Sequence, residues 1–176
     1  MIDLLSFPNP VNEKAARVVA AGVVVLCSLA LLRGMMWLSV PIAVGFLLRV
    51  AAGPRFSPLG LLATRLVAPR LGDPKLVPGP PKRFAQTIGA GLSGSAALVY
   101  LSAGATGATG AAWPAQLLLA AVLVAALLES AFALCLGCVL FRRLMRAGLI
   151  SADVCEACND VGLRYGQNGV TARMDR

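Results

Sequence analysis

Residues 115–158 read AQLLLAAVLVAALLESAFALCLGCVLFRRLMRAGLISADVCEAC. From Ala115 to Phe141 the only charge is Glu129. A bilayer-spanning helix needs roughly 20 apolar residues, so this run predicts a span long enough to tilt or protrude. The basic knot Arg142-Arg143-Leu144-Met145-Arg146 closes it. Two C-x-x-C pairs mark the stretch, Cys135/Cys138 within the run and Cys155/Cys158 beyond it, with sixteen residues between Cys138 and Cys155.

Three more apolar runs precede this one, at about 15–32, 35–52 and 84–103. The chain has 176 residues, of which 58% are hydrophobic and 14% charged, whereas soluble domains average about 25% charged. It is too short to bury four such runs as the core of a soluble domain. The expected fold is all-α: a polytopic membrane protein with four transmembrane helices and a short cytoplasmic Cys-containing tail. The expected organisation is a lead-in at 1–12, a transmembrane domain at 13–147 and a tail at 148–176. The fourth span is placed at 115–141 and a proline-rich cytoplasmic loop at 53–83.

Local signals fill in the scheme. Asn12 is placed to cap the first helix. Pro41 is expected to kink the second span. Ser57-Pro58 reads as a cap and first residue of a helix whose Leu59, Leu62, Ala63 and Leu66 share a face, either on the lipid headgroups or packed on the protein. Gly89, Gly91, Ser93, Gly94 and Ser95 predict close helix approach. Trp113 reads as an interfacial aromatic, and Gly148 as a helix stop.

The net charge is +8, and its placement separates two classes of partner. Lys14 and Arg17 flank the first span. Arg49, Arg55, Arg65, Arg70, Lys75, Lys82 and Arg83 follow the second. Arg142, Arg143, Arg146, Arg164, Arg173 and Arg176 follow the fourth. Only Arg33 falls on the other side. Flanking charge of this kind, with few aromatics for base stacking, points to the lipid bilayer and away from nucleic acid. The positive-inside rule then predicts a bacterial plasma-membrane protein with both termini cytoplasmic.

The chain has no histidine, which leaves thiolates and carboxylates as the main candidates for reactive groups. Two C-x-x-C pairs at this spacing fit a zinc site of Cys135, Cys138, Cys155 and Cys158. They equally fit thiol exchange, because C-x-x-C pairs near positive charge or a helix N-terminus have depressed thiol pKa values. In that case Cys155, expected to be the more exposed, is the attacking residue, Cys158 resolves, and Cys135 and Cys138 pass equivalents at the membrane edge. Arg142, Arg143 and Arg146 are expected to stabilise a thiolate. Either pair can also be mere packing, as Cys27 is expected to be. Glu129, placed near mid-membrane, is a functional candidate by default. A helical wheel through one continuous span puts it on the side opposite Cys138, bonded to a hydroxyl or an Arg of another span.

Four segments together, Pro8-Asn9-Pro10-Val11-Asn12-Glu13, Gly53-Pro54-Arg55-Phe56-Ser57-Pro58, Pro81-Lys82-Arg83-Phe84-Ala85-Gln86 and Cys135-Leu136-Gly137-Cys138, resemble the actinobacterial membrane family catalogued as domain of unknown function 4395. The resemblance covers about residues 5–146. It implies four spans and, through neighbouring thioredoxin-like and sulfurtransferase genes, thiol or sulfur metabolism. Cys155 and Cys158 lie outside the shared region. Three functions are therefore expected in order: a thiol or sulfur relay with a thioredoxin-like or sulfurtransferase partner, a non-enzymatic membrane scaffold or assembly factor with a structural zinc held by the four cysteines, and a small carrier using Glu129; a larger membrane complex is a further expected partner.

Overall fold

The first span begins where the sequence places its cap. Helix α1 (Glu13–Leu32) follows Asn12, whose side chain accepts the Lys14 N–H at 3.0 Å. The computed structural model describes residues 9–106 and 113–155. After Arg33, one 3-10 turn (Met36–Leu38) leads into α2 (Ser39–Ala52). Pro41 therefore sits in the first turn of α2, where a missing N–H breaks no helical bond. It starts the helix and does not kink it.

The proline-rich stretch is mostly helical. A 3-10 turn (Gly53–Arg55) is followed by α3 (Pro58–Leu62), whose cap Ser57 accepts the Gly60 N–H at 3.5 Å. Wider and tighter turns continue to Leu71. The face drawn from sequence divides in two. Ala63 is fully buried beside Ala15 and Val19 of α1, and Leu59 packs on the main core, but Leu62 and Leu66 are exposed. The segment thus packs on the protein along one edge and turns two leucines outward.

Two short strands were not expected: β1 (Val11–Asn12) pairs antiparallel with β2 (Leu76–Val77). Lys75 ion-pairs with Glu13 at 2.7 Å beside them. Helix α4 (Gly79–Thr106) begins five residues before the expected span. Pro80 and Pro81 lie in its first turn, where proline is favoured. This early start puts Lys82 on the helix. On α4, Ser93 is fully buried and Gly89 lies against the Phe46 ring, whereas Gly91 and Gly94 face open space. Only part of the small-residue face is a contact.

Helix α5 (Trp113–Phe132) opens on an exposed Trp113 and stops nine residues before the expected end of the fourth span. The continuous span 115–141 is replaced by a break and a separate helix, α6 (Leu136–Arg146). Ala133 takes φ 56°, a left-handed conformation costing an alanine roughly 1–2 kcal/mol. Arg17 of α1 offsets that cost. Its guanidinium donates to the Ser130 carbonyl at 3.0 and 3.1 Å and to the Ala131 carbonyl at 3.2 Å. A cation at a helix C-terminus satisfies orphan carbonyls and complements the helix dipole. Helix α6 ends at Ala147, and Gly148 follows at φ 73°.

Four helical segments are long and apolar enough to cross a membrane. They surround a core that includes Val23, Cys27, Ile42, Phe46, Leu119 and Val122. Cys27 has no exposed surface, as expected of a packing residue. The start of α1, the end of α2, the start of α4 and the end of α5 share one end of the bundle. Lys14, Arg17, Arg49 and Lys82 lie there, and Arg33 lies at the other end.

Candidate functional site: a dithiol at the charged end of the bundle

The break after α5 creates a new helix N-terminus, and Cys135 caps it. Its backbone is extended (φ −87°, ψ 103°), and its Sγ accepts the Cys138 N–H at 3.3 Å. The Cys138 thiol donates to the same sulfur at 2.6 Å. Both are free thiols, Cys135 buried and Cys138 half-buried. The pair is not two cysteines on one helical face. It is a capping sulfur and a first-turn sulfur.

The two thiols are driven apart in acidity. The S–H donated by Cys138 holds the Cys135 thiol below its ordinary value; Lys82 adds to this, while burial and Glu129 oppose it. Cys138 is pushed up, first because its proton serves Cys135, then by burial and by the charge on Cys135. A helix N-terminus favours a thiolate for the same electrostatic reason. Arg142, Arg143 and Arg146 are not the charges that act here. They are exposed, about one to two turns beyond Cys138 along α6.

Lys82 is the residue that sequence reading missed, having counted it only as a topological charge. Its Nζ lies 2.6 Å from Glu129 Oε1, with side-chain exposures of 8% and 15%. Glu129 is in the last turn of α5, not at mid-membrane, and its partner is a lysine. Because the helix breaks between them, the wheel that set Glu129 opposite the thiols does not apply. Glu129 and Cys135 line one cavity. Arg49, also buried, donates from Nε to Gln86 Oε1 at 2.9 Å and from Nη1 to Ser57 Oγ at 3.1 Å, and lies 4.4 Å from the Phe46 ring centre.

Gly137, between the two cysteines, sets how closely α6 approaches α4. A Cβ there would stand 2.5 Å from Ala85 Cβ and 2.6 Å from Ala85 Cα. The Phe84 and Phe141 rings meet beside this contact, tilted by 59° with their centres 5.5 Å apart. Gly137→Ala is therefore expected to lift α6 from α4, destabilise the fold by about 1–3 kcal/mol, and raise the Cys135 pKa by moving it from Lys82. Thermal unfolding in detergent and the pH dependence of Cys135 alkylation check both effects.

The second pair differs from its expected form. Cys155 closes a 3-10 turn (Ala152–Cys155), is buried, and is disulfide-bonded. It is thus neither exposed nor a free attacking thiol, because the turn packs against α4. Cys158 lies outside the described residues. Among the described residues no three Cys, Asp or Glu side chains converge to hold a metal ion.

Four spanning segments with a polarised dithiol at their charged end define a polytopic α-helical membrane protein. The chain belongs to the family described as domain of unknown function (DUF4395), whose model matches residues 11–146. The match takes in Lys82, Glu129, Cys135 and Cys138 and stops at the end of α6, short of Cys155. Comparison with curated proteins and with solved structures finds no match.

Proposed function

We propose that this protein is a thiol–disulfide relay of the bacterial plasma membrane, working through Cys135 and Cys138 at the cytoplasmic face. The observation that carries this reading is the direct contact of two adjacent free thiols at a helix N-terminus, one of them capping it. In the oxidised pair, a thiolate of a soluble partner, of the thioredoxin-like or sulfurtransferase kind, attacks the more exposed Cys138 sulfur. The intramolecular S–S bond breaks and Cys135 leaves as a thiolate, which its lowered pKa favours. The partner's second thiol then displaces Cys138. The partner gains a disulfide, and the pair gains two electrons and two protons.

Equilibration with mixtures of reduced and oxidised glutathione tests the reading. A Cys135–Cys138 disulfide is expected to form reversibly in the purified protein. Alkylation of both thiols at every glutathione ratio overturns it.

The charged end of the bundle supports the cytoplasmic orientation through the positive-inside rule. Alkaline phosphatase fused after Gly34 is expected to be active, and green fluorescent protein fused after Arg176 to be fluorescent. Phosphatase activity from a fusion after Arg176 would reverse the orientation.

A further inference from the structure

A cavity of ≈310 Å³ lies inside the bundle, walled by α1, α2, α4, α5 and the first turns of α6. Its volume is at the low end of the roughly 300–1,000 Å³ typical of ligand sites. It runs from Glu129 to Ala121 along α5, about 12 Å at roughly 1.5 Å per residue, and so lies within the apolar part of the span. Most of the lining is apolar and small. The polar groups are few: Arg49, Gln86, Glu129 and Cys135. Ala121, Leu136 and Leu140 belong to the lining and are also exposed, so the cavity opens on the lipid-facing side.

The buried member of the dithiol, Cys135, lines this cavity. Its reaction partner is therefore expected from the membrane, while half-buried Cys138 meets the soluble partner. A quinone meets these conditions: it enters from lipid, its ring suits a small apolar cavity, and it takes two electrons from a thiolate. Arg49 provides the polar contact for such a ring. Its Nε and Nη1 are committed to Gln86 and Ser57, and Nη2 donates to no described residue.

We propose that this cavity binds the ring of a membrane quinone, and that the quinone reoxidises the Cys135–Cys138 dithiol. The proposal rests on the reading of that pair as a thiol–disulfide centre. The Cys135 thiolate adds to the quinone ring, and the negative charge moves to a ring oxygen beside the Arg49 guanidinium. The Cys138 sulfur then attacks Cys135 Sγ, breaking the bond to the ring. The ring leaves as hydroquinone with two electrons, one proton from Cys138 and one from water. The pair is left as a disulfide, so one quinone is consumed per dithiol.

The test uses the full chain in lipid nanodiscs with Cys27→Ala, Cys155→Ser and Cys158→Ser, so that only Cys135 and Cys138 titrate. The reduced protein is mixed with decylubiquinone, whose ring carbons are all substituted, and quinone absorbance and alkylatable thiols are followed together. One quinone is expected to be lost per two thiols. Ala125→Phe, which fills the cavity, is expected to slow this by about tenfold or more, with oxidation by glutathione disulfide unchanged. Ala121→Phe at the exposed rim gives the same readout if the first variant does not fold. Oxidation by glutathione disulfide but not by decylubiquinone overturns the quinone proposal and leaves the dithiol reading standing. So does equal quinone reactivity in a folded cavity variant, the result expected if lipid or a second copy of the chain occupies the space. Failure of both oxidants overturns the dithiol reading itself.

Discussion

Cys135→Ser is expected to abolish disulfide formation at the site and to lower its thiol reactivity at pH 7, by up to roughly thirtyfold. An unperturbed thiol of pKa about 8.5 is only a few per cent thiolate at pH 7. Cys135 is held below the ordinary range by the Cys138 S–H and by Lys82, and Cys138 is pushed above it. Nearly all thiolate in the pair is therefore on Cys135, and the substitution removes that sulfur; Cys138 loses the neighbouring thiolate but is still raised by burial. The sign of the pH effect follows. Alkylation of Cys135 should reach its plateau at lower pH than a free thiol. Cys138→Ala removes the S–H donor, so the midpoint should move up, with the rate falling at pH 7 and recovering in alkali. Rates of iodoacetamide labelling, followed by mass spectrometry in a Cys27→Ala background, measure all three proteins. Equal rates at Cys135 and Cys138 across the pH range would contradict the assignment.

Lys82→Met is expected to destabilise the protein by about 3–5 kcal/mol, the cost of leaving one partner of a buried ion pair uncompensated. The pair is 2.6 Å apart and nearly out of solvent, and it ties the first turn of α4 to the last turn of α5. The double variant Lys82→Met/Glu129→Leu is expected to recover most of that loss, because two apolar side chains can replace a buried pair at little cost. Unfolding in graded mixtures of mild and denaturing detergent gives the three comparisons of a double-mutant cycle. Additive losses in the double variant would show that the two side chains do not act as a pair. The double variant also separates stability from chemistry. It should fold, yet Cys135 will have lost the favourable charge of Lys82 and the unfavourable charge of Glu129.

What the sequence made legible were the features set by local composition. Apolar runs of sufficient length gave the four spans. Asn12 and Ser57 announced their helices, Cys27 read as packing, and the distribution of Lys and Arg placed the charged end. The break after Phe132 was hidden because Ala133 and Leu134 are good helix formers in an apolar run. Its cause is long-range: Arg17, more than a hundred residues earlier, takes the last carbonyls of α5. Missing the break misplaced Glu129 relative to the thiols and made Cys135 a helix-interior residue when it is a cap. Lys82 was obscured by the prolines before it, which read as loop but begin α4. Cys155 was expected to be exposed and is buried, which a sixteen-residue spacer does not reveal.

The cap that Arg17 provides has a consequence for biogenesis. The first span leaves the ribosome long before the fifth helix does, and the apolar stretch that follows Trp113 can enter the bilayer as one uninterrupted rod. In the folded bundle the Arg17 guanidinium reaches the end of α5, so the turn at Ala133 and the helix that Cys135 starts are expected to form only once the first and fifth helices have met. Until then Cys135 lacks the cap position and the Cys138 contact on which the proposed exchange rests. On that reading, a half-inserted or misassembled chain presents no activated sulfur.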